Sequence, residues 1–305
     1  MAYLDYSAFE AFLARHADEL PAKSERLVGR DRVHDSGYSN IIRFFGTGAA
    51  DPRDFTIDYL PDSVVLYDPV IDAYSRRIES ELRAAGRLYV GPQVTNVAGE
   101  ADDSQSRRLR VQPCDYGLFA GSCFALDKPD PCFGDCRTLR EYAHRHRISL
   151  PQCMGVCGLL VTTEPDTSRR LLAVHRAGHL ASLTHSVGPS AAGSVDYRTG
   201  WTSLLELLHE SMAAEITEEL GLAGTEYTIT PLGYAHELFR GGKPQLFCRI
   251  DTPLASNDIR SRLALLAGRP EFTECLFFPL DSDYLLAAVE VGRAACRGGG
   301  WSRGG

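Results

Sequence analysis

The segment 201–222, WTSLLELLHESMAAEITEELGL, constrains the chain more than any other stretch. Leu204, Leu205, Leu208, Met212 and Ile216 recur at helical spacing, which gives a long helix one apolar face. Glu215, Glu218 and Glu219 stand at i, i+3 and i+4, positions that share a face of an α-helix. Three carboxylates gathered there repel one another, and a hard cation with oxygen ligands, Mg²⁺ or Mn²⁺, is the natural neutraliser. Gly221 reads as the C-cap and Leu222 as the return to the core. Paired glutamates are also common on solvated helix faces, so the hexamer EITEEL alone is compatible with a plain acidic surface.

The flanking residues narrow the reading. Gly200 is followed by five residues, Glu206, seven residues, and then Ala214-Glu215-Ile216-Thr217-Glu218-Glu219-Leu220-Gly221-Leu222. This resembles the Nudix box of the Nudix hydrolase superfamily, Gly-x5-Glu-x7-Arg-Glu-apolar-x-Glu-Glu-x-Gly-apolar. Every fixed position matches except one, where Ala214 stands in place of the family's Arg. A strand hairpin before the box and further strands after it extend the resemblance over roughly 151–290. It implies an α/β (α+β) fold, the Nudix α/β/α sandwich with a mixed sheet. A smaller α/β module over 1–150 precedes it, and a Gly-rich tail, 291–305, is expected to be disordered.

The resemblance also implies a chemistry. It assigns Glu218 and Glu219 as principal metal ligands, with Glu215 as a further ligand or the general base. Water attacks one phosphorus of a pyrophosphate, and Mg²⁺ or Mn²⁺ bridges phosphate oxygens and lowers the pKa of that water. A loop glutamate often completes such sites. Glu274, just before the strand CLFFPL, is the first candidate, with Glu271 and Glu237 behind it. Alanine at position 214 removes the charge-assisted hydrogen bonds with which the family's Arg orients the catalytic glutamate. Either another arginine substitutes, or turnover is slower, or the domain binds a nucleotide or partner without hydrolysing. Arg176, on the preceding strand, and Arg198, near the box, are the candidate substitutes. Gly193, in a loop over 188–196, would let backbone approach the phosphates.

Elsewhere the pattern alternates strand and helix. A helix is expected at 7–20, a strand at 63–67, an amphipathic helix at 70–85 with Ile71, Tyr74, Ile78 and Leu82 inward, and a strand region at 87–97. An acidic loop at 99–107, a strand at 108–112, a short helix within 115–127, a turn-rich stretch at 128–137 and a basic helix at 138–147 follow. Segments 154–163 and 170–177 read as a hairpin, as do the two strands around Gly241-Gly242. NDIRSRLALLA reads as a helix, ECLFFPL as a strand and DYLLAAVEVG as a last helix. The first half also resembles, through DYGLFAGSCFALD, Nudix proteins that carry an N-terminal module and cleave UDP-sugars. Tyr116, Phe119 and Ser122 would then line a nucleotide or sugar pocket, or they belong to an ordinary helix packed in a core. The implied partner is a small-molecule nucleoside diphosphate, UDP-sugar-like in the first instance, and the implied assembly is a homodimer, as in many relatives.

Charge and cysteine usage bound the alternatives. The formal net charge of -8 disfavours a broad nucleic-acid surface. Nine scattered cysteines read as reduced thiols of a cytoplasmic protein, and the C-x3-C pairs Cys132/Cys136 and Cys153/Cys157 lack the usual zinc-knuckle spacing. The opening MAYLDYSAFEAF has no basic region of a signal peptide. No apolar run approaches the ~20 residues that span a bilayer, so no membrane partner is expected.

Overall fold

The computed structural model describes residues 42–44, 51–88, 91–102, 107–178, 180, 187–237, 240–266 and 271–280. The helices expected at 7–20 and in DYLLAAVEVG, and the tail 291–305, lie outside the described residues. The expected hairpin forms from β5 (Gly155–Thr163) and β6 (Arg169–Arg176), paired antiparallel with Val161 opposite Leu171. Its turn places Thr167 at φ 67, with the Glu164 N–H donating to the Ser168 carbonyl at 2.8 Å. The second hairpin, β9 (Thr228–Glu237) and β10 (Lys243–Asp251), closes through Gly241 and Gly242 at φ 72 and 89, values that glycine reaches without strain. β10 runs parallel to β5, which makes the sheet mixed. β1 (Ile42–Phe44) joins β9, and β11 (Phe272–Pro279) joins β6, giving the order β1-β9-β10-β5-β6-β11. β7 (Val187–Gly188) pairs with β6, and β8 (Ala191–Ser194) pairs with β5.

A second sheet, in the order β2-β4-β3, consists of β2 (Phe55–Tyr59), β3 (Val94–Asp102) and β4 (Arg107–Cys114). Mixed sheets and helices together give the α+β class expected from the sequence. The central helix, α4 (Leu204–Glu215), touches β5, β8 and β9 of the large sheet and β2 of the small one. Its buried Leu204, Leu207, Leu208 and Met212 join Phe55, Ile57, Val97, Leu109 and Val111 in one core. Each such side chain contributes about 1.5–3 kcal/mol on burial. Leu207, and not the expected Leu205, completes this face: the stripe 204–208–212–216 has Leu207 on its inward flank, while Leu205 is only half-buried.

A second core lies under α1 (Pro69–Ala84), α2 (Tyr116–Cys123) and α3 (Leu139–His146). Asp68 caps α1 by accepting from the Val70 and Ile71 N–H groups at 2.9 and 3.0 Å, and the four expected inward residues are all buried. α1 and α2 cross closely at Gly121, where a side chain would run into the Ser75 carbonyl. The expected strand at 63–67 is absent. Val65 and Tyr67 are exposed, and the Val64 N–H bond to the Pro113 carbonyl, 3.0 Å, is not continued as a ladder. The acidic stretch expected as a loop from 99 is strand through Asp102, because Ala101 and Asp102 pair with Arg108 and Arg107.

The segment before residue 151 is tied directly to the one after it. The Thr95 N–H donates to the Val195 carbonyl at 2.7 Å, Met154 N–H to Thr95 at 2.8 Å, and Val97 N–H to Gln152 at 2.9 Å. Glu100 accepts from the Tyr234 hydroxyl at 2.6 Å and contacts His236 Nε2 at 2.7 Å, linking β3 to β9. The eight described cysteines are free, and no helix among the described residues is long and apolar enough to cross a membrane.

Candidate active site

The site begins with the helix start. Gly200 sits at φ 115, a backbone conformation for which glycine is suited. Ser203 caps α4 by accepting from the Glu206 N–H at 3.3 Å, and Glu206 reaches back to accept from the Thr202 N–H and hydroxyl at 2.7 and 2.8 Å. The arrangement is a capping box displaced by one residue. The Thr202 donors hold the Glu206 carboxyl below its ordinary range. Gly200 and Glu206 therefore serve the helix, not the ligand set. At the other end α4 widens into a π turn, Ile216–Leu220, which Gly221 closes at φ 65. Such turns recur at functional sites.

The acidic face lies on β8. The Glu219 Oε2 accepts from the Ala192 N–H at 2.8 Å. The Glu215 carboxylate occupies the space that a side chain at Gly193 would take. Residues 191–194, expected within a loop, form a strand because they pair with Gly155–Gly158 of β5. Their small side chains leave room for the helix carboxylates. Gly193 thus has a reason the sequence did not reveal: it admits Glu215. Glu218 is exposed at the margin of the group, yet close enough to act on Glu215 and Glu271.

Glu271, the second-choice loop glutamate, is the one the structure brings in. Its carbonyl accepts from the Ala177 N–H at 2.8 Å, and its carboxyl reaches that of Glu219. Glu274, the first choice, is exposed on β11 opposite His175 and is not brought to the cluster. The pairing of β11 with β6 decides between the two, and nothing local to 271–274 announces it.

The electrostatics follow from crowding. Burial pushes the Glu215 carboxyl up to about 7, and Glu218, Glu271 and Asp196 add to the rise. Burial likewise raises Glu219, with Glu271 and Glu215 repelling its charge and the Ala192 N–H and Arg176 partly offsetting them. Glu271 is raised by burial of its carboxyl and by Glu218, against the pull of Arg176, although the residue keeps contact with solvent. The three carboxyls share one site, so none holds its charge at ordinary cost.

The remaining candidates divide. Arg176 acts on both Glu219 and Glu271, and Arg240 stands near enough to disfavour its charge. Tyr116, from α2, brings its hydroxyl beside Ser194 of β8, and burial raises its pKa. Arg198 is exposed across from Asp196 at 4.0 Å and is not brought to the carboxylates. Glu237 pairs with Arg240 at 3.3 Å. Sequence reading missed Lys243, which is 5 % exposed, donates to Gln245 Oε1 at 3.0 Å and is pulled down to about 8 by burial and by Arg240. Among the described residues no three His, Cys, Asp or Glu side chains stand in a ready-made metal cage. The donor set is nevertheless all oxygen and mutually repelling, which suits a hard divalent cation.

No family model and no curated protein matches the chain. Solved structures do. The NUDIX domain of Shewanella oneidensis NrtR, crystallised with ADP ribose, is similar at 16% identity over 48% of this chain and 90% of its own, TM-score 0.31. A mutT/nudix family protein from Listeria innocua matches at 16% identity over 49% and 97%, TM-score 0.32. The Ap4A hydrolase of C. elegans matches at 11% identity over 46% and 91%, TM-score 0.29. Each of these likenesses covers about half of this chain.

Proposed function

We propose that the chain is a divalent-metal-dependent pyrophosphohydrolase acting on a nucleoside diphosphate linked to another moiety, with UDP-sugar-like compounds as the first substrate class. One observation carries the reading: Glu215 and Glu219 lie against β8 and Glu271 meets them there, at the expense of their own ionisation. A cluster so placed stabilises little in the protein by itself and becomes favourable when a cation joins it.

Glu219, Glu271 and Glu218 would hold Mg²⁺ or Mn²⁺, with Glu215 beside them. Such an ion supplies charge neutralisation at the phosphate oxygens and a more acidic water. Glu215, with a carboxyl at about 7, takes the proton of the attacking water near neutral pH. The water oxygen forms the new P–O bond as the anhydride P–O bond breaks, and the departing phosphate carries away the electron pair. The Ala192 N–H keeps Glu219 in position. Arg176 is the cation that acts on Glu219 in place of the arginine missing at Ala214. Residues 1–150 shape substrate choice through Tyr116, and the protein works in the cytoplasm as a homodimer.

The test is hydrolysis of a panel of diphosphate compounds with Mg²⁺ or Mn²⁺. Wild type releases a nucleoside monophosphate from at least one member, and both Glu219→Gln and EDTA abolish the release. An active Glu219→Gln protein refutes the assignment. Ala214, together with the solvent-side placement of Glu218, favours a second reading, a binding module that does not turn over. Ala214→Arg separates the two: a large gain in rate marks a decayed site, and no gain marks one in which Arg176 already compensates.

A further inference from the structure

Arg176 ends β6 with a guanidinium whose Nε is enclosed and meets no hydrogen-bond acceptor among the described residues. Gly188 makes room for its stem, since a Cβ there would stand 2.9 Å from the Arg176 Cδ. The charge is felt by Glu219 and Glu271 on the one hand and by Arg240 and Tyr116 on the other. Arg240 is held by Glu237 at 3.3 Å, and Lys243 lies within range of the same group. Positive charge is thus collected next to the carboxylates. A buried guanidinium with an unmet donor is costly unless something supplies an acceptor.

We infer that Arg176, with Arg240 and the Tyr116 hydroxyl within its electrostatic reach, forms a phosphate subsite adjoining the carboxylate cluster, and that this subsite takes the second phosphate of a diphosphate whose first phosphate lies on the Glu219 side. The inference rests on the hydrolase reading for the role of Glu219 and deepens it by naming what the neighbouring wall binds. A guanidinium fork matches the oxygens of a phosphate, and the Tyr116 hydroxyl is a neutral donor of fixed direction. A monophosphate fills one of the two positions only, so the arrangement selects compounds in which two ionised phosphates are adjacent. Tyr116 comes from α2, so the segment before residue 151 takes part in that selection.

The full-length protein is titrated calorimetrically with inorganic pyrophosphate in saturating Mg²⁺, as wild type, Arg176→Gln, Arg176→Lys and Tyr116→Phe. Loss of one charge-assisted contact weakens binding roughly ten- to a hundredfold in Arg176→Gln. Arg176→Lys keeps part of the affinity, which separates a lost contact from a lost fold, and Tyr116→Phe falls between them. Equal affinity in wild type and Arg176→Gln, or no binding by wild type, overturns the subsite. A panel that shows no hydrolysis while pyrophosphate binding still depends on Arg176 overturns the hydrolase reading alone. Hydrolysis whose KM is unchanged in Arg176→Gln overturns the subsite alone.

Discussion

Replacing Glu215 by Gln asks what the carboxylate cluster costs the protein without a cation. In the unfolded chain this carboxyl ionises near 4.5, and in the folded protein near 7. A carboxyl raised in the fold keeps its proton there after the unfolded chain has lost its own. Stability is therefore unaffected below about pH 4.5, declines as the pH rises through 4.5–7, and has lost its full share above 7. The difference corresponds to ~3 kcal/mol at one pKa unit per 1.36 kcal/mol, and partial solvent contact reduces it to ~1–2 kcal/mol. In EDTA, thermal unfolding at pH 8 should then place Glu215→Gln about 2–8 °C above wild type, with the two alike at pH 4.5. Saturating Mn²⁺ or Mg²⁺ raises wild type by about 2.7 kcal/mol at a hundredfold excess over Kd, and the variant by less. A Glu215→Gln protein that unfolds at or below the wild-type temperature at pH 8 would refute both the crowding argument and the cation it calls for.

Three other substitutions probe the site, the cap of its helix and the crossing of α1 with α2. Gly193→Ala inserts a methyl where the Glu215 carboxylate lies; the side chain swings aside at little cost in Tm, while turnover falls roughly a hundredfold from the misplacement, read as kcat beside a melting curve. Ser203→Ala removes the α4 cap and should lower stability by about 1 kcal/mol with kcat preserved, as measured by urea unfolding. Gly121→Ala drives a methyl into the Ser75 carbonyl and should cost about 1–3 kcal/mol, because backbone cannot yield as a side chain can; a Tm equal to wild type contradicts that crossing.

Local pattern carried most of the elements. Apolar spacing and turn signals were enough for α1, α4 and both hairpins, since these depend on residues three, four or two apart. Pattern misled where pairing decides. Segment 63–67 is rich in valine and tyrosine but finds no partner strand, and 191–194 looks like a loop but pairs with β5. The same division runs through the site. The spacing of Glu215, Glu218 and Glu219 was legible, whereas the turn of Glu218 toward solvent comes with the π turn, Ile216–Leu220. The preference for Glu271 over Glu274 comes from β11 lying on β6, a contact between residues about a hundred positions apart that no window of sequence contains.

The strand that sequence reading passed over is the element on which the site turns. A helix can present glutamates at suitable spacing, but it does not determine how far apart their oxygens stand or which charges they meet. β8 does: its Ala192 N–H fixes Glu219, and the bare Cα of Gly193 sets how closely Glu215 approaches. β8 in turn is held from two directions. Pairing with β5 fixes its register, and the Val195 carbonyl just beyond it accepts from Thr95 of β3 at 2.7 Å while Tyr116 of α2 stands beside Ser194. A change in the segment before residue 151 therefore has a short physical route to the carboxylates, through three residues of one strand, without touching the helix that bears them. Contacts therefore cross position 150: β8, the wall against which the acidic face is set, is itself held by β3 and α2 of the first half.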